Sequence, residues 1–176
     1  MNTTNTPWLA VQTFYCKELA VRDYLADRGL TCFVPMRYAE VFQGYDKKPH
    51  RELVPVVHNY LFVQKPEDPA SVKTLLVDCP YASRLLLNKS TRQPSEISAR
   101  EMFEFRALCD PDFNQQAVFQ VDDEEAELGR EVEIVHGQFA GIRGRLFRKK
   151  GQYWFIKTIS DISVKLRITR WFCRAL

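Results

Sequence analysis

The stretch VVHNYLFVQ, Val56–Gln64, decides how the N-terminal part of this chain folds. A short run of β-branched and aromatic residues predicts a β-strand. Successive side chains of a strand point to opposite faces, so Leu61 and Val63 share one face. Tyr60 and Phe62 share the other. Since both faces are apolar, two interpretations fit: a central strand covered by helices on both sides, or a strand whose aromatic side chains form an open patch for a protein partner.

Helices and strands surround this central strand in the N-terminal part. Apolar residues at a 3.6-residue period predict a helix over Cys16–Arg28. Asp68 and Pro69 are typical of the start of a second helix. Ser98 and Glu101 form a capping box that predicts a third. Strands are predicted at Trp8–Thr13, Leu30–Met36 and Ala82–Leu87, and a β-hairpin over Arg37–Val57.

The C-terminal part, residues 129–176, consists of one predicted strand after another. The segments REVEIV, GRLFRK, YWFIKT and VKLRIT alternate or are rich in β-branched residues, and glycines separate them. Short strands in close succession favour a small closed β-barrel. Residues 113–128 lack an apolar period and contain a cluster of acidic residues, which predicts an interdomain linker.

The net charge of +3 conceals a strong asymmetry along the chain. Residues 1–112 are neutral overall, residues 113–128 carry five acidic side chains and no basic one, and residues 129–176 have a net charge of +8. A basic module that follows an acidic bridge indicates either an anionic partner such as RNA or a well-solvated surface.

No motif of an enzyme is present. None of the three histidines lies in a nucleophile elbow, and neither HExxH nor GxxxxGK[ST] occurs. A pair assembled by folding, such as Cys79 with His58, is disfavoured because lone cysteines usually act as small buried hydrophobes. The five widely spaced cysteines include no CxxC pair, which argues against a disulfide framework or a zinc site. We expect a binding protein that uses no metal and no other cofactor.

The N-terminus, MNTTNTPW, lacks the charged and apolar regions of a signal peptide. No apolar run approaches the roughly 20 residues that a membrane span requires. We therefore expect a cytoplasmic protein that does not contact a membrane.

Three segments, WLAVQT, CFVPM and NYLFV, begin at Trp8, Cys32 and Asn59. They resemble the N-terminal domain of NusG-type transcription elongation and antitermination factors, in which W-Y-x-V-Q, V-P and P-[GN]-Y-[LV]-F-V occur at similar separations. The segment VEIVHGQFAGIRGRL, Val132–Leu146, is similar to the KOW motif. CFVPM and NYLFV are more similar to the specialised RfaH and UpxY members than to housekeeping NusG.

The resemblance implies an α+β fold. Residues 7–112 are expected to form an antiparallel sheet with three helices, residues 113–128 an acidic linker, and residues 129–176 a small SH3-like KOW β-barrel. RfaH can form a helical hairpin in its KOW region. Here Gly137, Gly141, Gly144 and Gly151 would each cost about 1 kcal/mol inside a helix, so we expect strands. The acidic segment Asp122–Glu127 could lie against the basic barrel.

The resemblance also implies a function. Family members bind the tip of the clamp helices of the RNA polymerase β′ subunit through a hydrophobic depression. The resemblance implies that Tyr60 and Phe62 belong to this depression here and that Trp8 contributes, which favours the open patch over core packing. The resemblance implies a transcription antitermination factor without catalytic activity that promotes processive transcription of particular operons, with capsular polysaccharide genes as the class implied by UpxY. The alternative is a KOW-based RNA- or ribosome-binding module without polymerase binding, which needs no exposed Tyr60 and Phe62.

Further partners follow from the same resemblance. Basic and polar residues of the hairpin tip, of the second helix and of the strand after it are candidates for contacts with non-template DNA and nascent RNA. For the hairpin tip, a solvated loop is the alternative. The KOW loop is a candidate for contact with a small-subunit ribosomal protein, and we expect the protein to be a monomer. The nucleic-acid candidates are Lys47, Lys48, Arg51, Lys73, Thr74 and Arg84, and the KOW-loop candidates are Phe139, Gly141 and Arg143.

Overall fold

The structure, a computed structural model, describes residues 5–42, 45, 48–114 and 116–176. The chain divides into two units: Met1–Val34 with Val57–Phe103, and Pro35–Val56 with Glu104–Leu176. Helices and antiparallel sheets occur together, as expected for a mixed α and β fold. No helix of the described residues is both long enough and apolar enough to cross a membrane.

Short helices and strands make up most of the described part of the chain. The helices are α1 (Glu18–Ala26), α2 (Pro69–Val77), α3 (Ala99–Cys109) and α4 (Asp123–Ala126). The strands are β1 (Trp8–Thr13), β2 (Cys32–Phe33), β3 (Met36–Phe42), β4 (Pro49–Pro55), β5 (Tyr60–Gln64), β6 (Ser83–Leu85), β7 (Glu96–Ile97), β8 (Val118–Val121), β9 (Arg130–Ile134), β10 (Arg143–Lys149), β11 (Gln152–Ile159), β12 (Ile162–Arg167) and β13 (Cys173–Ala175).

The first unit is built on an antiparallel sheet of order β2-β5-β1-β6, in which β7 also pairs with β1. The expected central strand, β5, lies between β2 and β1. Its Leu61 and Val63 are fully buried and lie on the same face as Leu9 and Val11 of β1. Helix α1 contacts β2 and β5, and α2 contacts β6. The apolar strand pattern is thus satisfied by burial in a helix-flanked sheet.

Two helix starts are confirmed by their hydrogen bonds. The Asp68 carboxylate accepts from the backbone N–H of Ala70 at 3.0 Å, which caps α2. At α3, the Glu101 N–H donates to the Ser98 hydroxyl at 3.2 Å, and the Ser98 N–H donates to the Glu101 carboxylate at 3.1 Å. This reciprocal pair is the predicted capping box.

The strand predicted over Leu30–Met36 is interrupted. β2 ends at Phe33 and β3 begins at Met36, so Pro35 separates two strands that belong to different sheets. Proline has no N–H to donate to a ladder, but its carbonyl accepts from the Val56 N–H at 2.8 Å. β3 and β4 then form the predicted hairpin, whose tip lies partly outside the described residues.

The second unit contains an antiparallel sheet of order β13-β9-β10-β11-β12-β8. The prediction that this region forms strands rather than helices is confirmed for β9 to β13. Gly144 allows β10 and β11 to approach closely, since a Cβ at this position would lie 2.2 Å from the carbonyl oxygen of Ile156. The packing of β10 against β11 therefore requires glycine, which has no side chain, at position 144.

The segment 113–128 differs from the predicted linker. Within it, β8 pairs with β12 as an edge of the sheet, and α4 follows with Asp122 as its N-cap. Val118 and Val121 are both buried, although residues three apart on a strand point to opposite faces. The two buried residues of β8 do not alternate with exposed ones, so the sequence lacks the period-2 pattern that would have predicted this strand beside the acidic residues.

Candidate functional site

The sheet face that carries Tyr60 and Phe62 is less open than expected. Phe62 is 0% exposed and Trp8 is 6% exposed, while Tyr60 is half-buried. The Phe62 ring stacks on Phe33, with centroids 6.3 Å apart and planes inclined by 29°. The prediction of an open aromatic patch is therefore wrong at Phe62 and Trp8, because strand alternation defines which residues share a face but not which part of that face is covered.

An accessible row of side chains crosses the same face at one end. In the ladder, Tyr60 of β5 pairs with Gln12 of β1, and Gln12 pairs with Arg84 of β6. The Arg84 guanidinium donates to the Gln12 side-chain oxygen at 3.0 and 2.9 Å, and it lies 5.6 Å from the Phe14 ring centroid. The structure thus places Tyr60 and Arg84 on the same sheet face, on either side of Gln12, although the sequence assigned them to different partners. We call Tyr60, Gln12, Arg84 and Phe14 the β5–β6 row.

The turn before β5 holds the β5–β6 row in position. Asn59 has a left-handed backbone with φ 65°, a region that asparagine tolerates better than most residues. Its side-chain oxygen accepts from the Cys16 N–H at 2.8 Å, and its carbonyl accepts from the Thr13 N–H at 2.8 Å. Its own N–H donates to the buried Glu18 carboxylate at 3.3 Å. These bonds fix the ends of β1 and β5 relative to each other.

Sequence reasoning missed several aromatic and basic residues near the β5–β6 row. Tyr15, just after β1, is 87% exposed, and Tyr81, just before β6, is 37% exposed. The Lys17 ammonium lies 5.8 Å from the Tyr81 ring centroid, within the range of a cation–π contact. The segment FYCK after β1, in which two aromatic residues are followed closely by a lysine, is the sequence signal that could have indicated them. The same segment is also what connects β1 to α1, so the signal is weak.

The predicted nucleic-acid residues are divided between the two units. Lys73 and Thr74 are exposed on α2 in the first unit, as is Arg84 on β6. The Thr74 hydroxyl donates a hydrogen bond to the carbonyl of Ala70 at 3.3 Å, within the same helix. Its proton is therefore already used in a hydrogen bond.

Other predicted contacts belong to the β3–β4 hairpin of the second unit. Lys48 is exposed, and the exposed Arg51 guanidinium lies 4.1 Å from the Tyr38 ring centroid. Lys47 lies outside the described residues.

The KOW-loop residues differ in accessibility. Phe139 is only 8% exposed and packs edge-on against Phe113, with ring centroids 5.7 Å apart. Gln138 donates to the Phe113 carbonyl at 3.3 Å and braces this contact. Gly141, with φ +92°, and Arg143 are exposed. A partner at this loop would meet Gly141 and Arg143 before Phe139.

The thiols of two cysteines are held in their protonated form. Burial raises the pKa of Cys32 to about 11, although the nearby Arg22 charge opposes the shift. Burial also raises the pKa of Cys109, which is 2% exposed on α3. Since the thiolate is the reactive form of cysteine, the raised pKa values lower the reactivity of both thiols.

The first unit is thus an antiparallel sheet that presents an accessible row of aromatic and polar side chains. The family model described as "Transcription termination factor nusG" matches residues 6–106, more than half of the chain. The chain belongs to the NusG family. Members of this family are non-enzymatic transcription elongation and termination factors that bind RNA polymerase. No curated protein matches the chain.

Proposed function

We propose that the chain binds the β′ clamp helices of RNA polymerase through the first unit and acts as an antitermination factor for particular operons. Its NYLFV segment resembles that of the RfaH and UpxY members, which makes capsular polysaccharide genes the proposed target class. The observation that carries the proposal is the position of Tyr60, which β5 presents in the accessible β5–β6 row. Aromatic residues of this kind dominate the binding free energy of many protein interfaces.

The burial of Phe62 and Trp8 assigns them a different part in this proposal. Tyr60 makes the first contact with the polymerase. Phe62 lies two residues further along β5, and Trp8 lies on the neighbouring strand β1. Both are buried and stabilise the sheet that presents Tyr60 to the polymerase. Phe62 and Trp8 would contact the polymerase directly only if binding uncovered the part of the sheet face on which they lie.

The remaining assignments are proposals of the same kind. Arg84, together with Lys73 and Thr74, is proposed to meet the phosphates of non-template DNA beside the polymerase contact. Residues 129–176 are proposed to be a KOW barrel that contacts a small-subunit ribosomal protein. The exposure of Gly141 and Arg143 supports their role as the first contacts there.

A polymerase pull-down with the Tyr60→Ala variant tests the main proposal. Loss of a hot-spot aromatic costs at least about 2 kcal/mol, so binding should weaken roughly 30-fold. Tyr45→Ala is the matched control, since Tyr45 is fully exposed on the hairpin tip and should bind normally. Phe62→Ala is unsuitable because truncating a buried phenylalanine costs about 3–5 kcal/mol of stability. Undiminished binding by folded Tyr60→Ala would contradict the proposal.

The alternative function is a KOW-based RNA- or ribosome-binding module whose first unit is a scaffold. The burial of Phe62 and Trp8 favours it, because a scaffold needs no open aromatic patch. The two proposals differ in one observable. The wild-type chain retains purified core polymerase under the first and does not retain it under the second.

A further inference from the structure

The second unit has an open groove beside strands β8, β11 and β12. It encloses about 590 Å³ and is lined by two aromatic rings, one cation and three hydrogen-bonding side chains: Phe119, Trp154, Arg167, Gln116, Gln152 and Thr169. The register places Trp154 opposite Arg167 on the neighbouring strand. All residues of the groove belong to the second unit, whereas the β5–β6 row belongs to the first.

The two aromatic rings of the groove are arranged as a corner. Phe119 is 38% exposed and Trp154 is half-buried. Their centroids are 6.3 Å apart and their planes are inclined by 68°, so the edge of one ring meets the face of the other. Such a corner leaves ring surface available to a flat group that enters the groove.

Positive charge surrounds this aromatic corner. The Arg37 guanidinium lies 5.4 Å from the Phe119 centroid, and the Lys165 ammonium lies 5.2 Å from the Trp154 centroid. Arg167 is exposed at the groove itself. Lys165 and Arg167 belong to residues 129–176, which carry a net charge of +8, and this excess of positive charge favours an anionic chain as the ligand.

One carboxylate already occupies part of this cationic surface. Glu125 of α4 accepts two hydrogen bonds of 2.7 Å from Lys165 and one of 3.2 Å from Lys149. An acidic group therefore sits on two cations, in the manner in which a phosphate would bind them. Ala126, the next residue, packs with Val121 against the same face of the sheet.

We propose that this groove binds single-stranded RNA and that Glu125 limits its affinity by holding Lys165 and Lys149. Unpaired bases stack on aromatic side chains while cations follow the phosphates. Gln116, Gln152 and Thr169 offer hydrogen bonds to base edges and to the 2′-hydroxyl group, which favours RNA over DNA. Duplex RNA is excluded because its bases are already stacked. The inference goes beyond polymerase binding; where it rests on the alternative function, it deepens that proposal by naming the groove that binds the RNA.

Fluorescence anisotropy of the full-length chain with a labelled U-rich RNA oligonucleotide tests the aromatic part. Phe119→Ala should weaken binding at least about fivefold, the lower limit for one base–aromatic stack. Trp154→Leu should do the same while keeping an apolar side chain against its neighbours. Trp171→Ala is the matched control, since Trp171 is 81% exposed outside the groove and should bind as the wild type does.

Variants of charged residues test the proposed phosphate contacts and the role of Glu125. Arg167→Gln should flatten the dependence of log affinity on log salt by about 0.7, the value for one phosphate contact on a single strand. Glu125→Gln should tighten RNA binding, whereas Glu124→Gln, the same charge change at an exposed neighbouring position, should change it less. Binding that is unaffected by Phe119→Ala and Trp154→Leu would overturn the proposal. Equal affinity for the matching DNA strand would overturn the assignment to RNA.

Discussion

At the scale of single residues, Asn59 links the turn before β5 to the accessible β5–β6 row. Asn59→Ala should lower the free energy of unfolding by about 2 kcal/mol, because alanine is strained at φ 65° and cannot accept the Cys16 hydrogen bond. Asn59→Gly tolerates the left-handed backbone and loses only that bond, so it should cost about 1 kcal/mol. Urea denaturation measures both. Equal losses would show that backbone strain plays no part.

Gly144 is required for a different physical reason. A Cβ there would lie 2.2 Å from the backbone oxygen of Ile156 and 2.5 Å from the Phe155 ring. Since a backbone oxygen cannot move aside, Gly144→Ala should lower the free energy of unfolding by about 3 kcal/mol. Gly151 has open space around it but a positive φ of +78°, so Gly151→Ala should cost only about 1 kcal/mol. A similar cost at both positions, measured by urea denaturation, would contradict the steric argument.

For single residues, the sequence predicts which face of a strand a side chain points to, but not how much of that face is covered. The alternation in NYLFV correctly places Tyr60 and Phe62 on one face, because strand geometry alone decides that. It cannot show that Phe62 is fully buried, since coverage of a face depends on side chains distant in sequence. Gln12 is missed because nothing local marks a glutamine that binds an arginine 72 residues away.

At the scale of elements, local signals are sufficient wherever one turn of chain determines the structure. The Asp68 cap and the Ser98–Glu101 capping box are formed by residues within a few positions of each other, and the sequence predicts both. It does not predict β8, because the edge position of this strand depends on pairing with β12, which lies far along the chain. The expected contact of the acidic segment with the basic region is present through Glu125.

The contact of α4 with the sheet should depend on pH. Burial opposes ionisation of Glu125, but hydrogen bonds and charge from Lys165 and Lys149 outweigh it and lower its pKa below the ordinary 4.5. Because the folded pKa is depressed, its stabilisation is complete above the ordinary value and is lost as the pH falls through the folded pKa. At pH 7, Glu125→Gln should lower the free energy of unfolding by about 1 kcal/mol.

Urea denaturation of the wild type and Glu125→Gln across pH 7 to pH 3 measures this dependence. The difference between the two proteins should shrink at the acidic end. Glu124→Gln provides the control, since the exposed Glu124 carries the same charge at the neighbouring position. A difference that stays constant down to pH 3 would show that ionisation of Glu125 does not hold α4 in place.

At the scale of the whole molecule, each of the two units is made of two separate stretches of the chain. The hairpin β3–β4 groups with Glu104–Leu176, although its residues precede β5 in the chain. The boundary between the units falls inside α3, between Phe103 and Glu104. The buried Lys157 on β11 donates to Glu104 at 2.7 Å, which joins the second half of α3 to the second sheet. Such a long-range ion pair leaves no local pattern in the sequence.

Residues 130–175 are expected to keep their strands in the intact protein. Glycines 129 and 144 lie where a Cβ would be 2.2 Å from a backbone oxygen, so the strand packing uses both of them directly. In a helix the same glycines would only cost stability, about 1 kcal/mol each, and the β-branched and aromatic side chains would lose rotamer freedom. We therefore expect strand-type Cα chemical shifts across β9 to β12 in the NMR spectrum of the full-length protein. The shifts should stay strand-like when RNA polymerase is absent. Helical shifts in this region would instead indicate a chain that changes its fold before it binds its partner.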